Sequence, residues 1–239
     1  MYPKTEKFVL HGPSLGIGAG IAAVSIFAAF FAFNMIGTQE VELTPANIPE
    51  SNEEITMEVF TANGSPILGD PNAPVLMVEF GDYQCFFCNK FFHDTEDDIL
   101  KNYVETGKVK IIFKDFTIIG PDSVNAAHGA HCANEQEKFW QYHDILYNNW
   151  DGENNGWAGS ENLLNFATQI ELDIDQWSEC MLDAKYQQKI ISSNSDAKSL
   201  GLTGTPAFFV IGPDAKVTKI GGAQPYDVFQ RIFDTELAK

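Results

Sequence analysis

Hydrophobic and polar positions divide this chain into an unbroken apolar stretch, an acidic stretch, and a long region of short alternating and helical patterns. From Leu15 to Ile36, 22 residues pass without a charge, rich in Ala, Ile and Phe and interrupted only by glycines, Ser25 and Asn34. As a helix this run measures roughly 33 Å, enough for a hydrocarbon core of about 30 Å. It has no polar face, which separates it from a helix of a soluble core. A cleaved signal peptide would carry an apolar region of about 7–15 residues closed by a small-x-small site. Ala32-Phe33-Asn34-Met35-Ile36-Gly37 offers no such site. The pattern therefore predicts a retained transmembrane helix over 15–37, with Gly16 and Gly20 spaced for helix pairing. Lys4 and Lys7 precede the span and Glu40 and Glu42 follow it, which predicts a cytoplasmic N-terminus at 1–14 and the remainder outside.

Residues 38–65 are rich in Glu, Pro and Asn and contain no basic residue, so they read as an extended, self-repelling linker. Within them, Ile55-Thr56-Met57-Glu58-Val59-Phe60 alternates as a short strand would. A domain at 66–239 follows. Val75-Leu76-Met77-Val78-Glu79-Phe80 predicts a first core strand over 74–80. A helix is expected from Cys85 to about Glu105, with Cys88, Phe92, Ile99 and Tyr103 on its inner face and Asp94, Glu96, Asp97 and Asp98 solvated. Gly107 ends it. A strand at Val109–Lys114 is next. Helical spacing then runs through about 122–200, broken near residues 151–156. Strands at about 206–211 and 216–220, joined by Gly212-Pro213-Asp214-Ala215, and a helix from Tyr226 to about Leu237 complete an α/β domain.

Composition narrows the functional classes. The 15 Lys+Arg against 33 Asp+Glu give a net charge of −18, a surface that repels nucleic acid and anionic lipid. Arg231 is the one arginine, which leaves little capacity for bidentate phosphate recognition.

Four cysteines carry the candidate chemistry. Cys85-Phe86-Phe87-Cys88 lies between the first strand and its helix. The N-terminal end of a helix favours a thiolate at the first cysteine, and the second, one turn on, is placed to close a disulfide. This predicts Cys85 as nucleophile and Cys88 as resolving thiol. The bland alternative is a structural bridge or half a zinc site, although zinc would want a second close pair. Cys132 and Cys180 are single and far apart. They form a structural disulfide closing about 49 residues, worth roughly 4 kcal/mol, or remain two buried thiols. His128, His131 and Cys132 have metal-ligand spacing on one helix, but no metal or other cofactor is expected.

The ordered motifs carry a resemblance. Residues 68–74, Leu-Gly-Asp-Pro-Asn-Ala-Pro, then Val78-Glu79-Phe80-Gly81-Asp82-Tyr83-Gln84-Cys85, Ala126–Ala133, Lys138–Asp144 and Gly204-Thr205-Pro206-Ala207-Phe208-Phe209-Val210 are similar to the DsbA-like thiol:disulfide oxidoreductases of the thioredoxin superfamily. The resemblance covers about 66–239. It implies a thioredoxin fold with a helical insertion at about 121–201, preceded here by the single transmembrane helix. It also implies a cis Pro206 facing the cysteines, with the Thr205 backbone as an edge for an extended substrate. Thioredoxin-like folds often carry an acid at the position of Glu79 as proton acceptor for the resolving thiol, and Lys114 on the neighbouring strand is its expected partner. Many relatives have proline and histidine between the cysteines. Phe86 and Phe87 stand there instead, which predicts a less stabilised thiolate, a milder oxidant and an apolar rim.

The resulting expectation is a single-pass cell-membrane enzyme with an extracytoplasmic catalytic domain. It would form or exchange disulfides in unfolded or cysteine-containing exported proteins, served by a membrane or extracytoplasmic redox partner. Its N-terminal helix would contact membrane lipid, and no nucleic acid would be involved. The alternatives are a reductase of specific extracytoplasmic thiols, such as those of apocytochromes or metal sites, and a metal-binding or metallochaperone domain.

Overall fold

The computed structural model describes residues 56–239. The predicted cytoplasmic segment 1–14, the transmembrane helix 15–37 and the linker as far as residue 55 lie outside the described residues. Among the described residues, no helix is long and apolar enough to cross a membrane.

A four-stranded mixed sheet organises the domain. Its strands are β1 (Val75–Gly81), β2 (Val109–Asp115), β3 (Ala207–Ile211) and β4 (Val217–Gly221), in the order β2-β1-β3-β4. β1 and β2 are parallel, whereas β3 is antiparallel to both β1 and β4. Every residue of β1 is buried, as suits a central strand covered on both faces. Side-chain alternation sends Val75 and Met77 to one face, where they meet Phe91, Phe208, Phe229 and Phe233. Leu76, Val78 and Phe80 point to the other, with Phe60, Ile112, Leu200 and Phe209.

The short α1 (Glu58–Thr61) stands where sequence alternation predicts a strand and where the linker was expected. Phe60, buried 5.1 Å from the Phe209 ring, anchors it to the sheet. Lys114 Nζ donates to the carbonyls of Val59 and Ala62 at its C-terminal end, the end at which a helix favours a cation.

Helix α2 begins as Phe86–Phe91 and continues without interruption through a π-helical stretch Phe92–Glu96, the α segment Asp97–Ile99 and a second π-helical stretch Leu100–Val104. Between β2 and β3 lie α3 (Pro121–Asn134), α4 (Phe139–Asn148), α5 (Ser160–Gln169), α6 (Ile174–Leu182) and α7 (Gln187–Ser199). Their shared core includes Tyr142, Leu146, Leu163, Phe166 and Trp177 and reaches Cys85 and Cys88. α8 (Tyr226–Leu237) closes the fold. A disulfide joins Cys132 on α3 to Cys180 on α6.

Candidate active site

The end of β1 and the start of α2 deliver the cysteine pair. Cys85, in extended conformation, caps α2, and Cys88 is the third residue of the helix. Both are free thiols; Cys85 keeps 5% of its surface exposed and Cys88 none. The first sulfur is therefore less open than its place at a helix tip suggests, because the Thr205–Pro206 segment lies over it. The Thr205–Pro206 bond is cis, and Cys85 Sγ lies 3.3 Å from the Thr205 carbonyl oxygen, to which it donates. A groove of about 270 Å³ runs beside this segment, lined by Gly201, Leu202, Gly204, Thr205, Pro206 and Lys219 among others.

The two thiols are driven apart electrostatically. A hydrogen bond from Cys88 lowers the Cys85 pKa from 9.0 to about 6; burial opposes it, and the Thr205 side chain, not its carbonyl, assists together with the N–H groups of Cys88 and Phe87. Burial, followed by the hydrogen bond and charge of Cys85, pushes the Cys88 thiol well above its ordinary value. The absence of a histidine between the cysteines has not left Cys85 unactivated, since its neighbours supply the donors. A thiol ionised at neutral pH beside one that keeps its proton is the pairing that stepwise thiol–disulfide exchange uses.

Glu79 lies behind the pair, 3% exposed. Its expected partner, Lys114, is elsewhere. In the β1–β2 register Glu79 stands opposite Phe113, whereas Lys114 stands opposite Phe80 and so belongs to the other face. Lys114 pairs there with Asp196 of α7 at 2.7 Å. Glu96, expected to be solvated, is 4% exposed instead. Eight residues beyond Cys88, an ideal α-helix would leave it about 80° off that face. The wider turn of the Phe92–Glu96 π segment takes back that lag and brings Thr95 and Glu96 inward. Burial first, then the Glu96 charge and then Cys85, hold the Glu79 carboxyl well above the usual range. Burial likewise raises Glu96, to about 7, with His143 opposing and Asp144 and Asp97 adding to the rise.

Around these acids, His143 is 1% exposed and sits 5.1 Å from Phe113, 5.6 Å from Tyr83 and 5.0 Å from Tyr147 between ring centres. Asp82 is buried and accepts from the N–H groups of Gln84, Ile118 and Ile119, tying the segment after β2 to the turn before Cys85. Sequence spacing pointed to none of Asp82, Gln84, Glu96 or His143 as site residues. Asp82 and Gln84 lie within three residues of Cys85, and His143 lies in the run Lys138–Asp144 that carries the resemblance; Glu96 has no such signal.

Phe86 and Phe87 are both exposed, at 49% and 55%. Phe86 lies 5.3 Å from Phe87 and 5.8 Å from Trp150, and neither phenylalanine fills the core. The described residues bring three candidate metal ligands together only at His128, Cys132 and Cys180, a group that does not include Cys85 or Cys88. There the two sulfurs are bonded to each other and His128 Nε2 accepts the Tyr186 N–H at 3.1 Å. His131 is drawn off to Asp115 at 2.7 Å.

A strand–cysteine pair–helix unit opposed by a cis proline, with a helical insertion, defines a DsbA-like thiol:disulfide oxidoreductase. A family model described as Thioredoxin matches residues 61–235, and the chain belongs to the thioredoxin family. It is 28% identical over 186 residues to the probable disulfide bond formation protein D of Bacillus anthracis, covering 76% of this chain and 82% of that one. It is 27% identical over 177 residues to disulfide bond formation protein D of Bacillus subtilis, covering 73% and 78%. Among solved structures, alpha-DsbA1 of Wolbachia pipientis matches with a TM-score of 0.66 and 30% identity, over 72% of this chain and 90% of that one.

Proposed function

We propose that this chain is a membrane-anchored, extracytoplasmic enzyme that forms or exchanges disulfides in exported, cysteine-containing proteins, with Cys85 as the attacking sulfur and Cys88 as the resolving one. The observation that carries it is the asymmetric pair under the cis-proline segment: Cys85 lowered to about 6, Cys88 fully buried and raised, and the Thr205 carbonyl 3.3 Å from the first sulfur.

Starting from the oxidised pair, a client thiolate attacks Cys85 Sγ. The Cys85–Cys88 bond breaks, and Cys88 leaves as a thiolate that takes a proton, with Glu79, the carboxylate whose charge acts on Cys88, to shuttle it. A second client thiolate then attacks the mixed disulfide at the client's sulfur, and Cys85 leaves as the stabilised thiolate. The client gains a disulfide, and its two electrons remain on the pair for an external oxidant to remove. In the exchange direction the Cys85 thiolate attacks a client disulfide, and Cys88, giving its proton to Glu79, attacks Cys85 Sγ to resolve the mixed disulfide and release the client thiolate. Thr205 presents its backbone to an extended client segment as an added strand would be met, and Phe86 and Phe87 supply an apolar rim for unfolded chain.

The uncharged run Leu15–Ile36 and the lysines before it support anchoring with the catalytic domain outside. The Cys132–Cys180 bridge agrees with an oxidising compartment. The printed names of the Bacillus relatives support disulfide formation as the direction. Reduction of specific partners is the second reading, favoured by the Phe-Phe dipeptide, and the equilibrium with glutathione decides between them.

The test is trapping in the full-length protein. Cys88→Ala is expected to accumulate mixed disulfides through Cys85 with clients in the membrane fraction, and Cys85→Ala to accumulate none. Equal residual exchange in the two variants, or a protease-protected domain in intact cells stripped of their outer layers, would overturn the assignment.

A further inference from the structure

The redox site is walled on one side by the loop of residues 149–159, between α4 and α5 of the helical insertion. Three contacts from this loop converge on the residues around the site. Trp150 Nε1 donates to the Gln84 carbonyl at 2.8 Å, and the Asn154 N–H donates to Gln84 Oε1 at 2.8 Å. Asn154 Nδ2 donates to the Ile119 carbonyl at 3.2 Å. Gln84 is itself fully buried and fixed by its donation to Ser123 Oγ at 2.9 Å. Gly120 makes room for the latch, because a Cβ there would collide with Asn154 Oδ1.

A further contact reaches the helix. Glu153 Oε1 accepts the N–H of Phe86, the first residue of α2, at 3.0 Å. That N–H is one of the donors a helix start leaves without an internal partner. The next two, Phe87 and Cys88, are the backbone donors that favour the Cys85 thiolate. A carboxylate and a thiolate thus occupy one helix end. Each is stabilised by the helix and each is disfavoured by the other. The other charged groups facing this end do not relieve the conflict. Glu79 on β1 is also acidic, Asp82 is occupied by three backbone N–H groups, and Lys90 on α2 is paired with Asp94.

The thiolate exists only in the reduced protein, so the penalty falls on one redox state. We infer that Glu153, carried by the insertion loop, is a positioning residue that tempers the oxidising strength of the Cys85–Cys88 pair by holding a carboxylate against the start of α2. In the oxidised state Glu153 caps the helix unopposed. When the pair takes up two electrons, the carboxylate faces a new negative sulfur, and the reduced state is less favoured than it would be otherwise. The inference rests on Cys85 being the ionised sulfur of the proposed function.

The experiment uses the full-length protein with both cysteines, as wild type, Glu153→Gln and Glu153→Ala. Two quantities are read: the pH dependence of Cys85 alkylation in the reduced protein, and the equilibrium in which the oxidised pair accepts two electrons and two protons from two glutathione thiols to give glutathione disulfide. Gln keeps an acceptor for the Phe86 N–H and loses the charge. Both variants are expected to move the alkylation midpoint to lower pH and to shift the glutathione equilibrium about two- to five-fold toward the reduced pair, the scale of a charge at a helix terminus. High salt is expected to shrink the difference. A Glu153→Gln protein that titrates with wild type, or a shift confined to Glu153→Ala, overturns the inference, since the contact and not the charge would then matter. A pair that equilibrates with glutathione but traps no client would count against the proposed function and leave this inference standing.

Discussion

Lys114 Nζ lies 2.7 Å from Asp196, 82 residues away on α7, and its side chain is fully buried. The same ammonium donates to the Val59 and Ala62 carbonyls, so one cation ties α1, β2 and the last helix of the insertion together. A buried amine needs all of these partners, since burial alone lowers its pKa and Asp196 opposes that.

Replacing Lys114 by Ala leaves Asp196 without its cation and two carbonyls without their donor. The expected loss is about 3 kcal/mol, read as a lower urea midpoint. The Cys85 alkylation profile should stay in place, because Lys114 and Glu79 lie on opposite faces of the sheet. A shifted profile would show that the two faces are coupled after all.

On the other face, the acid pair makes stability depend on pH in a definite direction. A carboxyl raised in the folded state keeps a proton that the unfolded chain has already released. The native protein therefore binds more protons between the two values, and stability falls as pH rises. For Glu96 that window runs from about 4.5 to about 7. Glu96→Gln removes this titration and the repulsion that raises Glu79. The urea midpoint should then decline less across the window, and attack of Cys88 on a mixed disulfide at Cys85, for which Glu79 accepts the proton, should keep its rate to lower pH. Glu79→Gln should slow that step itself by about 10²-fold, the scale of one lost proton-transfer group. Quenched-flow trapping of the mixed disulfide measures both rates. An unchanged pH slope in Glu96→Gln would mean that Glu96 does not titrate in this range.

The parts of the fold legible in sequence are those set by local patterns. The run Val75–Phe80, the Cys85–Cys88 pair and Pro206 before an apolar strand each occupy a few consecutive residues, and the fold assembles them into one site. What stayed hidden depends on geometry that no local pattern states. The pairing register of two parallel strands decided that Lys114 faces away from Glu79. A π turn, which follows no 3.6-residue spacing, turned Glu96 inward from a run of acids. Val59 and Phe60 alternate like a strand, yet a distant lysine and the Phe209 ring settle them as a helical turn. Glu153 lies in a Gly/Asn-rich break between helices, where sequence shows only a loop.

The Cys132–Cys180 bridge separates stability from redox function. It spans 48 positions of sequence and joins α3 to α6 within the insertion. A loop of that length should contribute about 4 kcal/mol by restricting the unfolded chain. Both sulfurs are committed to the bridge while Cys85 and Cys88 are free thiols, and the hydrogen-bonded link from α3 toward the site runs through Ser123 and Gln84. Replacing both cysteines by Ala should therefore lower the urea midpoint of the domain strongly while leaving Ser123 and the site-facing end of α3 in place. The glutathione equilibrium of the Cys85 pair, measured well below the new midpoint, should stay within about two-fold of wild type, a difference under half a kcal/mol. A larger shift under native conditions would mean that the insertion transmits its own redox state to the active site, and the bridge would have to be counted among the tuning elements alongside Glu153.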